Sequence, residues 1–181
     1  MMRRRVTDDM NRKKQPPHSK TRVAPFFKGD RKETVVAVSG GWDPLHIGHV
    51  RLLNEAKKLG DKLVVILNND NWLIAKKGFV FMSEEDRKEI LESLSAVDKV
   101  FLTEHTKEDT DRSVCRELRR LRPDIFANGG DRTPADAKKA TSSLNPEANL
   151  CEELGIKMVY NVGKGGKVRS STELVARFRK K

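Results

Sequence analysis

The sequence predicts an α/β fold: a Rossmann-like, doubly wound parallel five-stranded sheet with helices on both faces. Three observations carry this prediction. Short β-rich apolar runs recur five times along the 181 residues. Stretches with apolar residues at helical spacing separate them. Glycines and prolines fall at the junctions, where chain direction must change. Strands that alternate with helices connect by right-handed βαβ crossovers, which makes the sheet parallel and covers both of its faces.

The first strand is "TVVAVS" at 34–39, short, β-branched and followed by glycines. "HIGHVRLLNEAKKLG" follows as a helix, with Val50, Leu52, Leu53, Ala56 and Leu59 at helical spacing and Gly60 placed to end it. "KLVVILN" at 62–68 is the second buried strand. "SEEDRKEILESLSA" opens with Ser83 as N-cap, and its first-turn acids suit the positive end of the helix dipole. "VDKVFLT" at 97–103 is the third strand. "DRSVCRELRRLRP" is a helix stopped by Pro123. "DIFAN" at 124–128 is the fourth strand, closed by Gly129 and Gly130. "NPEANLCEELG" places Pro146 in a first helical turn and Gly155 past the helix end. "IKMVYNV" at 156–162 is the fifth strand, and "SSTELVARFRKK" closes the chain as a helix with a basic end.

Charge divides the chain into two regions. The formal net charge is +11, yet residues 1–33 hold eleven Lys/Arg against four Asp/Glu. Residues 1–32, with three prolines and almost no apolar periodicity, read as a basic, disordered arm, and residues 33–181 as the folded domain. Such an arm suits a nucleic-acid or acidic partner through counterion release; a solvated tail is the preferred reading. No apolar run approaches the ~20 residues of a membrane span. Two cysteines, Cys115 and Cys151, make neither a disulfide framework nor a metal cluster. A cytoplasmic location is the expectation.

The chemistry concentrates in "SGGWDPLHIGH" at 39–49, just beyond the first strand. Doubly wound sheets bind ligands beyond the carboxyl ends of their strands. Gly40 and Gly41 allow close approach of backbone to a ligand. The helix start supplies free N–H groups and a positive dipole end. His46 and His49, three residues apart, present both rings on one face of the first turn. Together these features make a phosphate site. No nucleophile–base pair is evident, and two histidines without a third ligand do not complete a zinc shell.

These residues resemble the signature of the nucleotidylyltransferase superfamily. "WDPLHIGHVRLLNEAKKLGDKLVV" is similar to the opening of glycerol-3-phosphate cytidylyltransferases and of the adenylyltransferase domain of the bifunctional heptose-phosphate enzyme. "NNDNWLIAKKG", "EEDRKEILESLSAVDKV", "PDIFANGGDR" and "RSSTEL" resemble further segments of these families, in order and at similar spacing. "HIGH" alone is shared with class I aminoacyl-tRNA synthetases; the five segments together are specific. Trp42 stands where these families usually carry Phe, Gly41 where many carry Thr or Val, and Arg132 where an aromatic residue is usual.

The resemblance implies a nucleotidyltransferase that moves a nucleotidyl group, CMP in preference to AMP, from a nucleoside triphosphate (CTP or ATP) to a small phosphorylated polyol or sugar. Pyrophosphate leaves. It implies catalytic roles for His46, His49 and Lys77, the last on a mobile loop. Gly40, Gly41, Trp42, Asp43, Asp131, Arg132, Ser170, Ser171 and Thr172 would bind the nucleotide. Asp70, Lys76 and Arg87 would bind acceptor or phosphate, and Lys76 is an alternative to Lys77. Mg²⁺ would arrive with the triphosphate, held by phosphates and water rather than by a protein ligand set. Related enzymes are commonly dimers, so a homodimer is implied. The alternatives are an adenylyltransferase of the heptose-phosphate type and a scaffold that binds nucleic acid or a larger assembly through the arm. The stretch "DAKKATSSLN" after the fourth strand is read as a loop that either covers the site or lies on the surface.

Overall fold

The computed structural model describes residues 33–130, 132–139, 142, 144–163, 170–171 and 173–175. The expected arm (1–32), Asp131, Thr172 and most of the expected last helix lie outside the described residues. The elements follow in the order β1 (Val35–Gly40), α1 (Ile47–Lys57), β2 (Lys62–Leu67), α2 (Asp70–Lys77), α3 (Glu84–Glu92), β3 (Lys99–Leu102), α4 (Cys115–Leu121), β4 (Ile125–Gly129), α5 (Pro134–Lys138), α6 (Asn145–Leu154) and β5 (Lys157–Val162).

All five strands pair in parallel, in the order β3-β2-β1-β4-β5. The order reverses at β1, so the loop that leaves β1 opens into the crevice between diverging connections. Alternation along β1 assigns the two faces. Val36 and Val38 join Leu53 and Ala56 of α1 and Leu91 of α3 in one core. Ala37, with Ile66 and Phe126, joins Leu118 of α4 and Leu150 of α6 in the other. Each fully buried Leu or Val contributes about 1.5–3 kcal/mol of transfer free energy, so both faces must be covered for the sheet to persist.

Two expectations change. The segment after β2 is not a loop but the helix α2. Asn69 caps it by accepting the Trp72 N–H, and Gly78 ends it in the left-handed region (φ 78°). Trp72 and Leu73 bury its inner side. Part of the stretch after β4 is likewise helical. Thr133 and Asp136 form a reciprocal capping box at α5, Ala137 is buried, and Asn145 Nδ2 donates to the Ala137 carbonyl.

An acid-sensitive tie joins α1, β2 and the turn into β3. Asp98 Oδ2 accepts from Lys57 Nζ and, at 2.7 Å, from the Leu63 N–H. Burial pushes the Asp98 carboxyl up, but Lys57, the Leu63 N–H and Lys62 outweigh it and hold the group below its ordinary 3.8. The depressed value means this contribution is complete above the unfolded-state pKa and is lost as pH falls through the folded one. Asp98→Asn is expected to lower unfolding free energy by about 1 kcal/mol at pH 7. The difference should vanish once Asp98 is protonated in both states. Urea denaturation of both proteins at pH 7 and at strongly acid pH measures this; an equal gap at both would refute it.

Candidate active site

The carboxyl ends of β1, β2 and β4 open into a pocket of about 350 Å³. Its centre is built by the chain leaving β1. Trp42 adopts φ 52°, which turns the chain sharply, and a Cβ on Gly41 would stand 2.8 Å from Leu73 Cδ2. Asp43 is almost wholly buried, and its two carboxylate oxygens accept the N–H groups of Phe81 and Met82 at 2.9 and 2.8 Å. This tie fixes the β1–α1 loop to the segment before α3.

His46 is the N-cap of α1, and its Nδ1 accepts the Gly48 N–H at 3.1 Å. An accepting Nδ1 is unprotonated, so neutral His46 carries its proton on Nε2. A Cβ at residue 48 would lie 2.9 Å from His46 Cε1, which is why glycine stands between the histidines. His49, one turn on, stacks on His46 with ring centroids 3.8 Å apart and planes 17° apart. Trp42 meets His49 edge-on at 4.9 Å. Burial first, then the nearby His46 and Lys77 charges, lower His49 to about 3. His49 is therefore an uncharged imidazole at neutral pH, able to donate or accept one hydrogen bond without carrying charge into the site. Gly48→Ala is expected to push the His46 ring off its cap and weaken triphosphate binding at least about tenfold, because a displaced cap loses both its bond and the ring's aim. Calorimetric titration with a nucleoside triphosphate measures it; unchanged affinity would refute it.

Of the other expected residues, Gly40, Lys76, Arg132, Ser170 and Ser171 line the pocket with Trp42 and the two histidines. Ser171 Oγ donates to the Pro44 carbonyl at 3.1 Å, which draws the last described segment against the β1–α1 loop. Lys76 Nζ stands 4.4 Å over the Trp72 ring, and burial first, then Arg132, lower its pKa against the pull of Glu147.

Four expected residues stand off the pocket wall. Asp43 holds the loop as described. Lys77 sits in the last turn of α2, not on a mobile loop, and donates to the Asp43 carbonyl at 2.9 Å. Arg87 is fully buried. Its guanidinium donates to the carbonyls of Met82 (3.0 Å), Gly41 (2.6 Å) and Asn68 (2.7 Å) and to Asp70. With four of its five N–H groups engaged, Arg87 is a structural clamp on the loops that shape the site, and Asp70 is its counter-ion.

Sequence reasoning missed several pocket residues, among them two asparagines, an arginine and a glutamate. Asn68 follows β2 and Asn128 lies in β4, and Asn68 Oδ1 and Asn128 Nδ2 are buried with no hydrogen-bond partner among the described residues. Arg112 and Glu147 line the opposite side. Polar residues at strand ends were a usable signal; Arg112 and Glu147 looked like ordinary helix-start residues.

A doubly wound sheet whose first strand runs through glycines into a helix capped by one imidazole and carrying a second stacked on it defines the nucleotidyltransferase class. The chain belongs to the cytidylyltransferase-like family, whose model matches residues 37–173. It is 41% identical over 146 residues to the bifunctional protein HldE of Streptomyces coelicolor, covering 80% of this chain but 28% of that protein. It is 38% identical over 132 residues to FAD synthase of Thermococcus kodakarensis, covering 72% of this chain and 84% of that protein. The chain thus spans a quarter or so of the bifunctional relative and most of the second. The crystal structure of the lipopolysaccharide core biosynthesis protein from Thermoplasma volcanium superposes with a TM-score of 0.53 at 29% identity, covering 73% of this chain and 98% of that one. No described helix is long and apolar enough to cross a membrane.

Proposed function

We propose that this protein joins a nucleoside triphosphate to a small phosphorylated acceptor, a polyol or sugar phosphate in the first instance. A phosphate oxygen of the acceptor attacks the α-phosphorus in line, a new phosphoanhydride bond forms, the α–β bond breaks and pyrophosphate leaves. Little proton transfer is needed, so positioning and charge stabilisation do the catalytic work. The observation that carries this reading is the pair of stacked imidazoles at the α1 N-terminus, neutral at His49, at the positive end of the helix dipole.

In this reading His46 Nε2–H and His49 donate to triphosphate oxygens as charge develops at the α-phosphorus. Ser170 and Ser171 hold the outer phosphates. Of the two lysines, Lys76 lines the pocket, so it is the better candidate to bridge acceptor and triphosphate. Lys77 holds the Asp43 carbonyl and lends positive charge nearby. Among the described residues no cluster of three or more His, Cys, Asp or Glu suits a metal ion. A Mg²⁺ ion arriving with the triphosphate would be carried mainly by phosphate oxygens and water, and it would neutralise the departing pyrophosphate.

The family's description favours CTP as donor. The likeness to HldE and to FAD synthase, whose named product contains an adenine nucleotide, favours ATP as the second reading. A thermal-shift screen of nucleoside triphosphates with Mg²⁺ identifies the donor, and pyrophosphate release with a panel of acceptor phosphates then tests transfer. Stabilisation by no triphosphate and release with no acceptor would refute the proposal.

A further inference from the structure

The pocket has two chemically different sides. One is the anion site at the start of α1. The other lies where α2 meets the starts of α4 and α6, and its wall is formed by Trp72, Lys76, Arg112, Arg132 and Glu147. Trp72 Nε1 donates to the Arg112 carbonyl at 2.8 Å, which ties the loop before α4 to α2. Glu147, in the first turn of α6, is 8% exposed, and its Oε1 accepts the Val114 N–H at 3.1 Å. That bond spans from α6 to the N-cap residue of α4 and fixes the carboxylate's orientation. Asn68, 3% exposed, also lines the pocket, and its Oδ1 has no hydrogen-bond partner among the described residues.

A carboxylate is costly to bury unless it is paired. Burial lifts Glu147 to about 7 despite the Val114 N–H, Arg132 and Lys76, with Asp111 adding a small upward push. Capping Val114 needs only one carboxylate oxygen. It does not require an acid on a pocket wall among three cations. Those cations set the charge a ligand can carry there. A phosphate monoester is attracted. A carboxylate on the same wall accepts hydrogen bonds from hydroxyls.

We propose that Glu147 is a specificity-determining residue for the acceptor: it accepts a hydrogen bond from a hydroxyl on the acceptor's organic part, while Lys76 and Arg112 face the acceptor's phosphate. This rests on the nucleotidyl-transfer reading above and adds to it the residue that selects hydroxylated phosphate monoesters. A site built to pair with a hydroxyl rejects the analogue that lacks it, because its own polar group is left unsatisfied.

The test is direct binding of glycerol phosphate, propyl phosphate and aminoethyl phosphate to the wild-type protein and to Glu147→Gln, with a bound triphosphate measured in parallel. In Glu147→Gln the Val114 N–H claims the amide oxygen and turns the N–H₂ group toward the pocket, so the fold is kept and the acceptor becomes a donor. Wild-type protein is expected to prefer glycerol phosphate over propyl phosphate by about tenfold or more, and aminoethyl phosphate, whose ammonium also donates to Glu147, is expected to bind more tightly than propyl phosphate. Glu147→Gln is expected to lose the hydroxyl preference while binding triphosphate normally. Equal wild-type binding of glycerol and propyl phosphates, or an undiminished preference in the variant, would overturn the proposal. Failure of every triphosphate to bind, with the hydroxyl preference still dependent on Glu147, would instead count against nucleotidyl transfer alone. Should the variant not fold, the ranking of the three phosphates by the wild-type protein decides.

Discussion

Replacing His49 with alanine is expected to lower the rate of pyrophosphate release by about 10²–10³-fold, the usual cost of losing one donor aimed at developing charge. Because the proposed bond strengthens in the transition state, kcat and kcat/KM should fall together while the affinity for triphosphate changes less. His46→Ala should cost a similar factor and, through loss of the α1 cap, some stability as well. Steady-state kinetics of the three proteins with a saturating triphosphate decide this. Rates within a few-fold of wild type would remove the imidazoles from the mechanism.

The His49 environment adds a pH signature. Burial, His46 and Lys77 keep its folded-state pKa near 3, against 6.5 for an ordinary imidazole. The unfolded chain therefore binds a proton near pH 6.5 that the folded chain refuses until about 3. Stability should fall as pH drops through that window, and His49→Ala should flatten the slope. The rate profile should show no acid limb near 6.5 arising from His49. A limb there that disappears in His49→Ala would refute the neutral assignment.

Arg87→Met is expected to destabilise the fold by about 3–5 kcal/mol, the range for breaking a buried ion pair by removing one partner. The methionine fills the space but leaves the carbonyls of Gly41, Asn68 and Met82 and the Asp70 carboxylate without their donor. Arg87→Lys should recover only part of the loss, since one ammonium cannot reproduce a planar fork that reaches several oxygens. Urea denaturation measures both variants. A normally stable Arg87→Met protein with a raised acceptor KM would restore the substrate-binding role that the sequence suggests.

Elements built from local patterns show where sequence reading succeeds. All five strands were legible because buried parallel strands need contiguous β-branched residues, and runs such as "VVAV" and "LVVIL" have few other uses. The histidine site was legible because its parts are local: strand end, glycines, cap and first helical turn all lie within ten residues. Helix α2 was harder, although Asn69, Asp70, Lys77 and Gly78 are standard helix-end signals. With eight residues and only Trp72 and Leu73 buried, its periodicity was too short to register.

What the sequence determined by itself was the alternating α/β plan, the strand that carries the site, and two imidazoles presented together at a helix start. Each of these depends on residues within one or two turns of each other. Only the tertiary structure decided which side chains reach the pocket. Crossovers of many tens of residues bring Glu147 to Val114, Trp72 to Arg112 and Arg87 to Gly41. Two adjacent lysines on α2 point in different directions, one into the pocket and one onto the Asp43 carbonyl. Identical charges can be told apart only by their neighbours, and the sheet order and helix packing choose those neighbours.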